Sequence, residues 1–275
     1  MGGLTRTFLL FVVLTSLLMA VGGAAGYLLG VPPTHALSVA LIFAVILNLG
    51  MYYSADRWVL TLYKAKIVSE SEMPKLHQMV ERIASNARLP KPKVAIVPLS
   101  VPNAFATGRS PNHAVVAVTE GALELLNDEE LEGVLGHEIA HIKNRDMLIN
   151  TLAAIIGAAI TYVMYFSMFA GRGRDRESGA SLVALLAIFL VPFAAMLVRL
   201  AISRGREFEA DREEASLSRK PLGLASALRK LELKAMEARL AGGNPSTAHL
   251  FIVNPFRGVR LVSLFSTHPP TDERI

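Results

Sequence analysis

Cysteine is absent from this 275-residue chain. Its absence excludes disulfide bonds, thiolate nucleophiles, iron–sulfur clusters and every metal site that uses sulfur ligands. Any bound metal must therefore be held by histidine, aspartate or glutamate. Charge is also scarce, since Asp, Glu, Lys and Arg make up 19% of the residues, against about 25% in soluble proteins. With 52% hydrophobic residues and a mean hydropathy of +0.41, the composition indicates membrane segments.

The low content of charged residues is explained by four apolar stretches that contain none. Residues 8–29 and 36–53 contain no Lys, Arg, Asp or Glu, and residues 148–171 and 178–198 form a second such pair. A hydrocarbon core of about 30 Å requires roughly 20 helical residues, so each stretch is long enough to cross a bilayer. We therefore expect an α-rich, multi-pass membrane protein with four transmembrane helices. A signal peptide is an alternative for the first stretch, but the equally apolar second stretch favours a span.

Basic residues near the ends of these stretches predict the orientation, because Lys and Arg favour the cytoplasmic side. We expect 1–54 and 148–200 to be membrane segments, and 55–147 and 201–275 to form one cytoplasmic domain together with both termini. No basic run interleaved with aromatic residues occurs, so a nucleic-acid partner is not expected. Counted only close to the span ends, eight basic residues lie on the side expected to be cytoplasmic and three on the other; they are Arg6, Arg57, Lys64, Lys66, Lys143, Arg145, Arg204 and Arg206, against Arg172, Arg174 and Arg176.

The segment between the second and third spans has the patterns of an α+β domain. One helix is predicted to open near Ser71, with Pro74 in its first turn, and to stop at Leu89-Pro90. Two short β-branched runs, 94–98 and 114–118, are expected to pair as a small antiparallel sheet. A second helix is predicted from Asn127, where Asn127 and Glu130 match a capping box. The apolar residues at helical spacing in the first helix are Leu76, Met79, Val80 and Ile83.

The second predicted helix carries the sequence His137-Glu138-Ile139-Ala140-His141. Residues four apart stack on one face of a helix, so both imidazoles can reach one ion, while Glu138 leans toward the same ion without binding it. This is the HExxH pattern of zinc sites. The alternative is that His137 and His141 are polar residues of a helix near the membrane surface.

A catalytic zinc site needs a third protein ligand, which in a chain without cysteine must be His, Asp or Glu. The predicted fourth span returns the chain to the same side near residue 200, and the acidic residues that follow first are Glu207, Glu209 and Asp211. Glu207 and Asp211 are four apart on a predicted helix, so one can bind metal while the other accepts a hydrogen bond from a ligand imidazole. Glu209 points elsewhere. A solvated run of mixed charges is the alternative.

Four motifs resemble the HtpX-type membrane zinc metalloproteases, which are distant relatives of the CAAX prenyl proteases. They are 103–108 (NAFATG), 134–144 (VLGHEIAHIKN), 203–211 (SRGREFEAD) and 267–274 (THPPTDER), and the resemblance covers nearly the whole chain. It implies a protein of the cell (inner or plasma) membrane with a zincin-like catalytic domain on the cytoplasmic face. It also implies proteolysis of unfolded, misfolded or damaged membrane proteins in protein quality control and the stress response.

The resemblance also implies specific residue roles. One zinc ion per chain is held by His137, His141 and Glu207, with Glu138 as the general base, and Asp211 is expected to bond a ligand imidazole. The charged stretch 212–215 departs from the small residues that are usual in the family at this point.

Further site residues are predicted with less specific signals. His268, before two prolines, is the candidate to stabilise the oxyanion, although a capping or packing role fits it equally well. Asn103 is a candidate for binding the substrate backbone, with a turn as the alternative. An extended substrate is expected to pair with an exposed strand edge formed by Ala114, Val115, Val116, Ala117 and Val118.

Two other function classes remain open. An intramembrane metalloprotease would place HExxH inside a span, whereas here the charged residues 128–130 and 143–145 flank it. A non-catalytic membrane scaffold would retain a structural zinc, but such sites normally have four protein ligands and three good candidates are found. The sequence does not indicate an oligomeric state.

Overall fold

The computed structural model describes residues 3–149, 151, 204–240 and 271–275. The predicted fourth span, nearly all of the predicted third span and His268 lie outside the described residues. Two long helices come first, followed by a domain of short strands and helices. In chain order the elements are α1 (Gly3–Leu28), α2 (Pro33–Leu62), β1 (Lys66–Ile67), α3 (Pro74–Asn86), β2 (Lys93–Val97), β3 (Ala104–Thr107), β4 (Val115–Thr119), α4 (Glu120–Leu125), α5 (Asp128–Lys143), α6 (Arg204–Ser218), α7 (Pro221–Leu240) and α8 (Thr271–Arg274).

Helices α1 and α2 form an antiparallel pair with apolar outer faces. Small residues let them approach closely, since a Cβ on Gly22 would lie 2.5 Å from the Cβ of Ala40. Thr7–Tyr27 and Pro33–Leu62 are each long and apolar enough to cross a membrane, and only 11% and 22% of their most apolar windows are buried. Exposed apolar helices of this length are what the first two charge-free stretches predicted.

The sheet has the strand order β1-β2-β4-β3. Our prediction that 94–98 and 114–118 pair in an antiparallel sheet is wrong, because β2 and β4 are neighbours but run parallel, with Val94 opposite Val116. The reason lies in the connection between them. The chain crosses from β2 to the far edge, forms β3 there, and returns antiparallel as β4 between the two. The sheet is therefore mixed.

Strand β4 is the interior strand of the sheet. All five of its residues are buried, and β2 and β3 take up both of its hydrogen-bonding sides. Among the described residues, the outer strands are β1 and β3. The prediction of an exposed, substrate-binding edge is therefore wrong for Ala114, Val115, Val116, Ala117 and Val118.

The two faces of the sheet have different neighbours. One face contributes Val116 and Val118 to the main core, together with residues of α3, α5, α6 and α7. The other face packs on the end of α2, where Phe105 and Ala117 join a cluster with Tyr63. The domain that carries the candidate site therefore rests directly on the last turns of an apolar helix.

Helix α5 begins at the predicted capping box. The Asn127 side chain accepts from the Glu130 N–H at 3.0 Å, and the Glu130 carboxylate accepts from the Asn127 N–H at 2.9 Å. Beyond its first turn the helix is buried on every side as far as Ile142. Helix α7 crosses it so closely that a Cβ on Gly133 would lie 2.5 Å from the Leu224 nitrogen. This burial places the HExxH residues in the protein interior.

Candidate metal centre

Three potential metal ligands converge where α6 packs on α5. His137, His141 and Glu207 offer ligand atoms that all lie within 4.8 Å of one another. The two Nε2 atoms are 3.1 Å apart, and the Glu207 carboxylate oxygens lie 3.4 Å from His137 Nε2 and 3.6 Å from His141 Nε2. Zinc bonds of about 2.0–2.1 Å in a tetrahedral site separate ligand atoms by roughly 3.3 Å. The three side chains therefore have the spacing of ligands around one ion.

The outer nitrogen of each imidazole faces an aspartate, of which Asp146 is buried and Asp211 is partly buried. His137 Nδ1 lies 2.8 Å from Asp211 Oδ1, and His141 Nδ1 lies 3.7 Å from Asp146 Oδ2. A carboxylate at this position holds the proton on Nδ1 and leaves Nε2 free for a metal. Asp211 thus lies where the sequence placed it, whereas Asp146 was not foreseen.

Each of these aspartates is bonded in turn to a buried arginine. Arg274 donates to both oxygens of Asp211, at 2.9 and 2.7 Å, and Arg206 Nη1 donates to Asp146 Oδ1 at 3.0 Å. Arginine, aspartate and histidine therefore follow one another on both sides of the site. Asp211 is within hydrogen-bond distance of His137, whereas the contact between Asp146 and His141 is longer, at 3.7 Å. Sequence reasoning missed the roles of Asp146, Arg206 and Arg274, because these pairs join residues about sixty positions apart and no local periodicity marks them.

The electrostatic balance of the site favours a cation. Burial by itself lowers the pKa of His141, but Glu207 and Asp146 overcome that effect and raise the pKa to about 10. Burial likewise opposes ionisation of Asp211, yet Arg274 and His137 hold its pKa below the usual range. Metal binding requires both imidazoles to be neutral. Four carboxylates against two guanidinium groups then leave two net negative charges, which a divalent ion balances; the groups are Glu138, Asp146, Glu207 and Asp211, with Arg206 and Arg274.

Glu138 reaches the same site from α5. It is 5% exposed, and its Oε2 accepts the backbone N–H of Ala106 at 2.8 Å. This bond joins the HExxH helix to β3, so the outer edge of β3 faces the glutamate. Asn103, just before β3, donates its backbone N–H to Thr119 Oγ1 at 2.8 Å, which ties the start of β3 to the end of β4.

The charged stretch 212–215 fastens α6 to α5. Glu213 bonds to Lys143 and, at 3.2 Å, to the Asn144 amide. Glu214 is 1% exposed, and its burial raises the pKa of the carboxyl to about 7. A Cβ on Gly136 would lie 3.0 Å from Glu214 Cγ, so a larger residue there would press on the Glu214 side chain. Glu213 and Glu214 therefore have a structural role at the contact between α5 and α6.

Comparison with known proteins identifies the family. A model of peptidase family M48 matches residues 70–275. The chain belongs to this family. Protease HtpX homologues of Pyrococcus furiosus and Methanocaldococcus jannaschii are 53% and 50% identical over 274 and 276 residues, covering 98% of this chain and 93% and 94% of those proteins. The homologue of Salinibacter ruber is 49% identical over 272 residues, 98% of this chain and 95% of that protein.

Among solved structures, the crystal structure of S. mikatae Ste24p superposes with a TM-score of 0.49 at 18% identity, covering 98% of this chain and 64% of that chain. Membership of the HtpX-type M48 peptidases confirms the resemblance drawn from the four motifs. For an M48 metalloprotease, the buried cluster of two histidines and Glu207 is the metal-binding candidate among the described residues.

Proposed function

We propose that this M48 peptidase is a zinc metalloendopeptidase that cleaves misfolded or damaged membrane proteins at the cytoplasmic face of the cell membrane. The observation that carries the proposal is the convergence of the two Nε2 atoms and the Glu207 carboxylate, with the Glu138 carboxylate beside them. Two imidazoles and one carboxylate form a catalytic zinc ligand set that uses no sulfur. We assign His137, His141 and Glu207 as the ligands of one zinc ion per chain.

The chain's own residues supply the proton chemistry. When bound, zinc lowers the pKa of a coordinated water to about 7 and polarises the scissile carbonyl. Glu138 takes the proton from the attacking water and returns it to the leaving amine nitrogen as the peptide bond breaks. The Ala106 N–H donates to Glu138 Oε2 and so fixes the orientation of this carboxylate. Asp211 and Asp146 orient the ligand imidazoles.

We keep His268 as the proposed donor to the oxyanion, with its flanking prolines limiting its motion. We also keep Asn103 as a proposed contact to the substrate backbone. The strand that receives an extended substrate is now β3 (Ala104–Thr107), because its outer edge faces Glu138. Pairing along a strand edge recognises an extended backbone more than particular side chains. Such recognition suits a protease that removes unfolded segments.

The test uses the full chain in detergent, the Glu138→Gln variant, and casein as an unfolded substrate. We expect Glu138→Gln to keep its bound zinc, measured by elemental analysis, and to lose casein cleavage by about 100-fold to 10,000-fold. The matched control is Glu129→Gln, which makes the same change at an exposed position of the same helix and is expected to keep its activity. A chelator should abolish cleavage, and added zinc should restore it.

The same experiment separates the alternatives. A non-catalytic scaffold binds zinc without cleaving casein in any variant. An intramembrane protease cleaves only within the spans of its substrates and leaves casein intact. Full casein cleavage by Glu138→Gln would remove the basis of the proposal.

A further inference from the structure

Strand β3 runs alongside helix α2 toward the apolar part of that helix. The rings of Phe105 and Tyr63 have centroids 5.6 Å apart, and the Arg109 guanidinium lies 5.4 Å from the ring centroid of Tyr53. Four residues of extended chain cover about 13 Å, and ten helical residues cover about 15 Å. The two contacts show that the segment from Phe105 to Arg109 runs along α2 from Tyr63 toward Tyr53.

Tyr53 marks the edge of the apolar part of α2. The charge-free stretch of this helix ends at Ser54, and Asp56 and Arg57 follow. Tyr52 and Tyr53 are in edge-to-face contact, with centroids 5.0 Å apart. Tyrosine is enriched at the boundary between hydrocarbon and headgroups, and an arginine beside it keeps its charge at headgroup depth.

A second contact marks the same boundary independently. The hydroxyl groups of Thr107 and Thr151 lie 3.0 Å apart. Thr151 is within the charge-free stretch that starts at residue 148, a few residues after Asp146. The end of β3 is therefore in contact with two separate apolar stretches of the chain, each near the point where its charged residues stop.

The catalytic glutamate is close to this boundary. Glu138 bonds to the N–H of Ala106, which is three residues, or about 10 Å of extended chain, from Arg109. The headgroup layer on one side of a bilayer is about 5–8 Å thick. The outer edge of β3 at the site is therefore within a few residues of the membrane surface.

We propose that the site takes extended juxtamembrane segments, with the scissile bond about three to six residues beyond the end of a transmembrane helix. This inference rests on the proposed function. The occupant is a peptide that leaves the bilayer beside α2 and pairs along the outer edge of β3. Ala106, the partly exposed residue of this strand, carries only a methyl side chain, so a second backbone can approach there. The protease then selects a peptide bond by its distance from the membrane.

The lack of cysteine allows a direct test of the depth of β3. A single cysteine introduced by Arg109→Cys carries a fluorescent label in proteoliposomes that contain lipids with headgroup quenchers. The control is Glu124→Cys, an exposed residue just beyond the far end of β4. We expect strong quenching at position 109 and weak quenching at position 124. Equal quenching at the two positions would overturn the proposed placement.

The second test measures cleavage in the same vesicles. Single-span substrates carry one cleavable sequence at about 4 or about 20 residues from the span, in otherwise identical Gly/Ser linkers. Local concentration falls roughly as the −3/2 power of linker length, so we expect the nearer sequence to be cut about tenfold faster. Mass spectrometry of the products maps the cut bonds.

Casein cleavage by the same preparation separates the two proposals. Equal rates at the two positions, with casein cleaved, would overturn the juxtamembrane inference and leave the protease assignment intact. Failure to cut casein and both membrane substrates would overturn the proposed function and the inference with it. The Glu138→Gln variant supplies the background in every assay.

Discussion

Arg274 donates two hydrogen bonds to Asp211, at 2.9 and 2.7 Å, although 63 residues separate them in the chain. Asp211 in turn lies 2.8 Å from His137 Nδ1. The arginine side chain is 1% exposed, so the charge pair is shielded from solvent. A two-pronged guanidinium–carboxylate contact fixes the orientation of both planes. The last helix of the chain therefore helps to hold the first histidine of the HExxH motif in place.

Replacing Asp211 with asparagine should weaken metal binding by about 10-fold to 100-fold. The amide cannot stabilise charge on the imidazole, and it leaves Arg274 without its anionic partner. Competition with a chromophoric chelator measures the zinc affinity directly. The control is Asp272→Asn, which removes an exposed carboxylate two residues from Arg274. Unchanged zinc affinity in Asp211→Asn would contradict the orienting role.

Arg206 and Asp146 form a buried pair whose disruption should destabilise the fold. The Arg206→Leu variant leaves the Asp146 carboxylate, 1% exposed, without a guanidinium bond, at a cost of about 3–5 kcal/mol. Adding Asp146→Asn should recover part of that loss. Chemical unfolding of the metal-free protein gives the values without a contribution from zinc binding.

The control for this buried ion pair is a solvent-exposed ion pair. Lys66→Ala removes the bond to Glu72, in which the two side chains are 73% and 43% exposed, and should cost no more than about 1 kcal/mol. A loss for Arg206→Leu as small as that for Lys66→Ala would show that the buried pair contributes little.

Glu214 should make the stability depend on pH. Its pKa is raised by burial from 4.5 to about 7, so the folded protein binds this proton more tightly than the unfolded chain does. The contribution is complete below pH 4.5 and is lost as the pH rises through about 7. Within this window one such group changes the free energy of unfolding by up to about 1.4 kcal/mol per pH unit.

The Glu214→Gln variant should therefore lose less stability than the wild type between pH 5 and pH 7, an interval of about two units inside that window. Thermal unfolding at a series of pH values compares the slopes, and the titration of the other groups is common to both proteins. Glu209→Gln makes the same change at an exposed position of α6 and should keep the wild-type slope. Parallel curves for Glu214→Gln and the wild type would refute this prediction.

The close crossing of α5 and α7 should not tolerate a side chain at Gly133. A Cβ there would lie 2.5 Å from the Leu224 nitrogen and 2.8 Å from its Cα, and neither backbone atom can move away freely. Gly133→Ala should therefore destabilise the protein by about 1–3 kcal/mol. Gly50→Ala, in α2 with nothing within 4 Å, should be neutral or stabilising by about 0.5–1 kcal/mol. Circular dichroism during heating compares the two.

Local patterns in the sequence predicted several elements correctly. The capping box at Asn127 and the first two apolar helices are present where the spacing of residues indicated. The helix predicted from near Ser71 to Leu89 is also present, as the shorter element Pro74–Asn86. Each of these depends on side chains within a few positions of one another, so the sequence alone contains the information. The direction of β4 relative to β2 was mispredicted because it depends on where β3 inserts, and the short run 104–107 has no clear strand pattern.

The sequence by itself determined the chemistry of the site: without cysteine, with HExxH on a capped helix, the metal ligands had to be histidine and carboxylate. The tertiary structure decided which distant groups surround them, since Arg206, Arg274 and the edge of β3 reach the site only when separate segments pack together. Side-chain type and local spacing are properties of the chain. Contacts between residues far apart in sequence depend on the packing of helices and strands, which no local pattern encodes.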